Sequence, residues 1–332
     1  MCCFSSFRKW IERRRISFLI KCIAVLLFFG FVSLIVTVRI SQEVLKTSRS
    51  ELSLHSEEAV TAQVFLVILL LSSPKNVEQR DTVRTTWLNN DLPNVKSFFV
   101  VGTKALSSEE VSKLNEENRI NRDLLLLSHV QDSYRSLTGK LVEALKWMDT
   151  NIEFSFLFKG DDDTFVRIEL LLQELQNRTP ERTYLGFFDG RARVKKVGQW
   201  AEPNWILCDR YLPHARGGGY VLSTDLVSYI ARNSDLLQHF SSEDISVGAW
   251  LGPLEIQRIH DPRFDTEYVS RGCSNSYIVT HKQDVEMMRA KRKSLTVSGT
   301  LCEKEFQSRL SYVYNWKVLP SLCCVRNNSA VP

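Results

Sequence analysis

Hydrophobic positions are distributed very unevenly along this chain. VFLVILLL (Val64–Leu71) is a solid apolar run of strand length, closed by the turn residues SSPKN. Such a run, too short to cross a membrane, predicts a strand buried on both faces of a parallel sheet. A helix-like DTVRTTWL follows, then the apolar SFFVVG (Ser97–Gly102), then SSEEVSKLNEEN with a capping serine and an acidic first turn. DLLLL (Asp123–Leu127) is the third apolar run, LTGKLVEALKWMD (Leu137–Asp149) spaces its apolar residues as an amphipathic helix does, and FSFLF (Phe154–Phe158) is the fourth run. Strand and helix alternate for four rounds, which predicts an α/β domain with a mostly parallel central sheet flanked by helices. The second half is less regular, with turn-rich segments around Gly186–Trp205 and Asp261–Ser276.

The longest apolar run lies near the start. ISFLIKCIAVLLFFGFVSLIVTV (Ile16–Val38) is long enough to cross a hydrocarbon core of about 30 Å, and its one charge, Lys21, is near an end where it can snorkel. A cleaved signal peptide has a shorter apolar stretch and a small-residue cleavage site, and no such site follows. Basic residues precede the run, so the reading is a signal-anchor transmembrane helix with its N-terminus cytosolic. Residues 1–15 then form a cytosolic tail, 16–38 the anchor, 39–60 a polar stem, and 61–332 a luminal domain.

Charge follows the same division. The chain carries +5 overall, but its first 40 residues alone carry +6, which leaves the remainder at −1. The basic balance therefore belongs to the anchor flank and gives no support to nucleic-acid binding. Cys208, Cys273, Cys302, Cys323 and Cys324 would face an oxidising lumen; five is odd, and spacing alone does not set their pairing. Asn177-Arg-Thr and Asn327-Asn-Ser are glycosylation sequons in that setting, the first weakened by the proline after Thr179.

The chemistry concentrates where the fourth apolar run ends, at FLFKGDDDTFV. Carboxylates two apart in extended chain point to one side, so Asp161 and Asp163 can address one ligand while Asp162 faces elsewhere. Hard oxygen donors suit Mg²⁺ or Mn²⁺, ions that bridge carboxylate to diphosphate. The bland alternative is a solvated acidic loop or a helix cap, with Thr164-Phe-Val-Arg beginning a helix. A second acidic pair, Ser242-Glu243-Asp244, opens ISVGAWLG and reads either as a helix cap or as a general base held at a helix start. GGG (Gly217–Gly219) precedes YVLS rather than a helix, so it is read as a place of close backbone approach, not a dinucleotide fingerprint. His281 and His260 are equal candidates for a metal shell on residue chemistry alone. Trp200, Trp205 and Tyr211 could stack on sugar faces or be core. No Walker loop, GxSxG or HExxH occurs, which argues against P-loop nucleotide hydrolysis, serine hydrolysis and zinc proteolysis.

Taken in order, RDTVRTTW (Arg80–Trp87), FFVVGT, DSYRSLTGK, FLFKGDDDTFV, GGGYVLS and SEDISVG resemble the β-1,3-glycosyltransferase family of the Golgi over essentially the whole of residues 61–332. Ala215 and Trp250 replace two cysteines common in that family, consistent with a disulfide lost as a unit. YLGFFDGR, HDPRFDTEY, RGCSNSY, THKQ and the ending LSYVYNW…CC are similar to the subgroup that builds the glycosaminoglycan linker. The resemblance implies a GT-A nucleotide-sugar transferase fold, UDP-galactose as donor and Mn²⁺ as cofactor. It implies inverting transfer to O3 of galactose in a galactosyl-β-1,4-xylosyl-serine core, a Golgi-membrane location, and association with other linker-synthesising enzymes. Carried onto this sequence, Asp244 is the base, Asp163 and His281 are metal ligands, Asp161 and Asp162 lie in the donor site, and Arg80 and Arg84 lie near the UDP. A two-carboxylate glycoside hydrolase, a non-catalytic glycan binder, and a UDP-N-acetylglucosamine donor are the competing readings.

Overall fold

In the computed structural model, residues 64–88, 92–327, 331 and 332 are described, together with Arg39. The expected cytosolic tail, membrane anchor and stem lie outside them, Arg39 aside; among the described residues no helix is long and apolar enough to cross a membrane. The chain divides into Met1–Ala62 and a compact unit, Gln63–Pro332.

The four apolar runs become β1 (Val64–Leu71), β2 (Val95–Gly102), β3 (Leu124–Leu127) and β4 (Phe154–Asp161). Between them lie α1 (Val77–Thr86), α2 (Ser108–Asn121) and α3 (Leu137–Asn151). β1 is almost wholly buried, as a strand covered on both faces must be. Helix α2 starts with a full capping box, Ser107 and Glu110 each satisfying the other's backbone N–H.

Where a helix start was one reading of Thr164-Phe-Val-Arg, the chain instead forms a two-residue strand β5 (Phe165–Val166), and α4 begins only at Ile168 (Ile168–Gln176). The chain continues through β6 (Thr183–Asp189), β7 (His214–Ser223), α5 (Thr224–Asn233), α6 (Glu243–Leu251) and β8 (Gln257–His260). The turn-rich stretch expected from Gly186 thus begins inside β6. Beyond come β9 (Phe264–Asp265), β10 (Gly272–Cys273), β11 (Val279–Thr280), α7 (Val285–Ser298) and β12 (Phe306–Gln307).

One seven-stranded sheet runs β3-β2-β1-β4-β7-β6-β8. It is parallel from β3 to β4, while β7 runs antiparallel to both β4 and β6. After β1 the chain builds outward to β2 and β3, then returns so that β4 lands on the other flank of β1. This reversal makes the carboxyl ends of β1 and β4 a topological switch point, the place where ligands of open α/β sheets collect. Leu71 pairs with Asp161 in that register, so the aspartates emerge beside Ser72.

Among the described residues the cysteines resolve into Cys273–Cys302 and the adjacent pair Cys323–Cys324, with Cys208 free and exposed. Asn177 and Asn327 are both exposed.

Candidate active site

Strand pairing assembles the site. β5 continues directly from the aspartates and pairs antiparallel with β11, Phe165 opposite Thr280. That places the next residue, His281, against the aspartates: its Nε2 is 3.1 Å from Asp163 Oδ1 and 3.4 Å from Asp161 Oδ2. Gln283 N–H donates to the Asp163 carbonyl (2.8 Å), which fastens the two segments together. Burial opposes a charge on the imidazole, but the two carboxylates prevail and push the His281 pKa up to about 9. One ligand atom each from Asp161, Asp163 and His281 lies within 4.8 Å of the others, a group that could hold a metal ion.

This donor set fits a divalent ion. It offers two hard carboxylate oxygens and one imidazole nitrogen, within the range Mn²⁺ accepts. Asp163 Oδ1 is buried and accepts no aligned hydrogen bond among the described residues, as expected of an atom facing a ligand. Gly218 completes the cradle, because a Cβ there would meet His281 Cγ at 2.4 Å.

Asp162 turns the other way: β4 ends at Asp161, and a turn closed by Thr164 N–H on the Asp161 carbonyl (3.1 Å) carries Asp162 and Asp163. Its Oδ2 accepts from Ser72 Oγ (2.7 Å) and Asn76 Nδ2 (2.9 Å), and burial raises its pKa despite those bonds. It ties the loop after β1 to the loop after β4 rather than joining the metal group.

The acidic pair of α6 reaches the same place from the opposite side of β7. Gly217 N–H donates to Asp244 Oδ2 (3.0 Å), while Ile245 N–H, in the first helical turn, donates to Oδ1 (2.8 Å). A Cβ on Gly217 would press on Glu243 at 3.0 Å and Asp244 at 3.3 Å, so glycine allows the helix start to lie against the strand. Asp244 stays partly open to solvent, whereas Glu243 is buried. Ser242 does not cap the helix with its side chain. Instead the buried Glu202 carboxylate accepts from Ser241 N–H (2.7 Å) and Ser242 N–H (2.6 Å), holding the turn that presents the pair.

Lys159 joins the two halves. Its Nζ lies 2.9 Å from Asp161 Oδ1, 2.5 Å from Glu243 Oε1 and 2.7 Å from the Gly217 carbonyl, with the side chain 2 % exposed. Burial disfavours its charge, yet the carboxylates outweigh burial and raise its pKa. Burial likewise opposes ionisation of Asp161, but Lys159 and His281 hold that carboxyl well below the usual range. For Glu243, burial together with the charges of Asp244 and Asp161 pushes the pKa up to about 7 against the pull of Lys159. Lys159 and Glu202 escape sequence reasoning, and Glu243 is met there only as part of the acidic pair; yet a lysine within FSFLFKGD is a signal, since a cation in a buried strand needs anions beside it.

Three other candidates find different work. The Arg80 guanidinium is fully buried and spent on Glu117 (2.6 Å), Ser72 Oγ (3.0 Å) and the Ser73 carbonyl (2.6 Å). It reaches the aspartates only indirectly, through Ser72. Arg84 is held by Asp123, Glu117 and Asp81. Both guanidinium groups are held by carboxylates, that of Arg80 fully buried and that of Arg84 partly so. His260 stacks on Tyr312 with centroids 5.1 Å apart and accepts Phe188 N–H at Nδ1 (3.1 Å), while burial lowers its pKa to about 4. It is a half-buried residue of the fold, held neutral by its surroundings.

Residues 78–262 match the profile of the family described as galactosyltransferase. Mouse (Mus musculus) beta-1,3-galactosyltransferase 6 is 49% identical over 272 residues, covering 80% of this chain and 84% of the relative. UDP-GalNAc:beta-1,3-N-acetylgalactosaminyltransferase 2 of Xenopus tropicalis is 31% identical over 209 residues, 62% of this chain but only 42% of that relative's length. Among solved structures, the galactosyltransferase LgtC in complex with donor and acceptor sugar analogs is similar at TM-score 0.38 and 13% identity, over 70% of this chain and 96% of that one. The chain belongs to the galactosyltransferase family and is a glycosyltransferase.

Proposed function

We propose that this chain transfers galactose, with inversion, from UDP-galactose to O3 of galactose in the galactosyl-β-1,4-xylosyl-serine core. The step builds towards the linker tetrasaccharide that carries heparan and chondroitin sulfate. The chain works from the Golgi membrane as a single-pass type II protein, anchored by residues 16–38 with residues 61–332 in the lumen. The observation that carries the chemistry is the bridge made by Lys159 between Asp161 of the Asp161–Asp163–His281 group and Glu243, next to Asp244. Donor and acceptor choice rest on the 49% identity to a beta-1,3-galactosyltransferase over most of both chains.

Asp161, Asp163 and His281 would hold the divalent ion, Mn²⁺ by family resemblance. Bound there, it supplies Lewis-acid stabilisation of the charge that develops on the diphosphate. Asp244 takes the proton from the attacking hydroxyl. Each of its oxygens accepts one backbone N–H, which fixes the carboxylate plane and leaves lone pairs for the acceptor. Glu243, clamped by Lys159, keeps the helix start in register with Gly217. Inversion at the anomeric carbon needs this one base and no covalent intermediate.

The test offers the full-length protein UDP-galactose or UDP-N-acetylglucosamine with Mn²⁺ and either a galactosyl-xyloside or an N-acetylglucosaminide. A β-1,3-linked galactose on the galactosyl-xyloside is expected. Preferential product from UDP-N-acetylglucosamine, or on the N-acetylglucosaminide, overturns the assignment.

A further inference from the structure

The aromatic residues considered for sugar contact separate in the fold. Trp205 and Tyr211, each 4% exposed, form a small second core with Phe240 and Ile245. Trp200 stays 39% exposed and meets Tyr268, itself 61% exposed. Their ring centroids are 5.0 Å apart with planes at 74°, so the two surfaces form a corner. Lys282 Nζ lies 3.8 Å from the Tyr268 ring centroid.

Chain connectivity places this corner. Trp200 stands two residues before Glu202, the carboxylate that holds the backbone just ahead of Glu243 and Asp244. Tyr268 stands three residues beyond Asp265, whose carbonyl accepts His281 N–H (3.1 Å). Lys282, the residue after His281, is held at φ 59°, in the left-handed region that non-glycine residues seldom adopt. One ring therefore belongs to the loop that supports the base, and the other to the loop that supports the metal group.

A sugar ring offers a face of C–H groups to an aromatic plane and hydroxyls at its rim to a cation. Aromatic rings with a wet edge suit that mixed surface. We propose that Trp200 and Tyr268, with Lys282 as hydroxyl donor, form a pyranose-binding subsite for the acceptor glycan beside Asp244. This rests on the glycosyl-transfer reading of the site and extends it to acceptor recognition.

The experiment measures acceptor KM with a benzyl galactosyl-β-1,4-xyloside, and Mn²⁺–UDP affinity by calorimetry, on full-length protein. Trp200→Ala and Tyr268→Ala are expected to raise acceptor KM about tenfold, a loss of about 1.4 kcal/mol. UDP affinity should stay within twofold, and Trp200→Phe should recover most of the loss. Unchanged acceptor KM in both alanine variants overturns the subsite, as does a fall in UDP affinity that tracks the KM. Should the wild type transfer no galactose to the xyloside, the acceptor assignment fails separately. Saturation-transfer NMR with the same xyloside and Mn²⁺–UDP then decides the subsite: signal lost in the alanine variants supports it, and equal signal in variants and wild type, or none in either, overturns it.

Discussion

Lys159 and Glu243 meet at 2.5 Å beneath the aspartates, so one buried cation serves the metal group and the helix that carries the base. Glu243 nevertheless titrates near 7, above its ordinary 4.5. A carboxyl with a raised folded-state pKa binds its proton more tightly in the folded protein. Its contribution to stability is therefore full below about 4.5 and is lost as pH rises through about 7. In metal-free protein, Glu243→Gln should flatten the fall in stability across that interval, by roughly 1–3 kcal/mol relative to wild type. Urea unfolding at several pH values checks this; parallel curves for the two proteins would contradict it.

The contact between Gly218 and His281 leaves no room for a methyl group. Gly218→Ala should displace the imidazole and weaken Mn²⁺-dependent UDP binding by at least about tenfold, more than 1.4 kcal/mol. Calorimetry with UDP, with and without Mn²⁺, reports it. Unaltered Mn²⁺ dependence would mean that His281 is not a ligand.

Asp244 and Asp163 should separate chemistry from binding. Asp244→Asn is expected to reduce transfer by about 10²–10⁴-fold while Mn²⁺–UDP binding persists, since it removes the proton acceptor and one of two backbone hydrogen bonds but leaves Asp163 and His281 in place. Asp163→Ala should lose metal-dependent UDP binding itself. Paired turnover and calorimetric measurements on both variants decide; lost UDP binding in Asp244→Asn would move that residue to the donor site.

Arg84 distinguishes the family-implied role from the structural one. Its guanidinium bonds Asp123 through two nitrogens and Glu117 through one, a planar fork that lysine cannot reproduce. Arg84→Lys should cost about 1–3 kcal/mol of stability with KM for the nucleotide sugar unchanged. A raised donor KM at unchanged stability would restore Arg84 to the nucleotide.

Much of the scaffold was legible because it depends on local pattern. Four apolar runs specified four strands, and the capping serine of α2 marked its own helix. Asp162 does face away from its neighbours, onto Ser72 and Asn76, but a turn after Asp161 rather than strand alternation sends it there. The ion pairs of Arg80 and Arg84 were not legible, because an arginine beside a nucleotide and one held in an ion pair look alike in a sequence. On residue chemistry His281 and His260 were indistinguishable for the same reason, each following a short β-rich segment, and only the family resemblance favoured His281.

By itself, then, the sequence determined the alternating α/β pattern, the acidic triplet at a strand end and the acidic pair at a helix start. Periodicity, apolar length and turn chemistry act between near neighbours and are written in the order of residues. Tertiary structure alone decided that β5 pairs with β11, so that His281 faces Asp161 and Asp163. It also decided that Lys159 reaches Glu243 past Gly217, and that Trp200 meets Tyr268. Those contacts join segments remote in the chain, and their partners are fixed by sheet order and by where glycine lets two backbones approach.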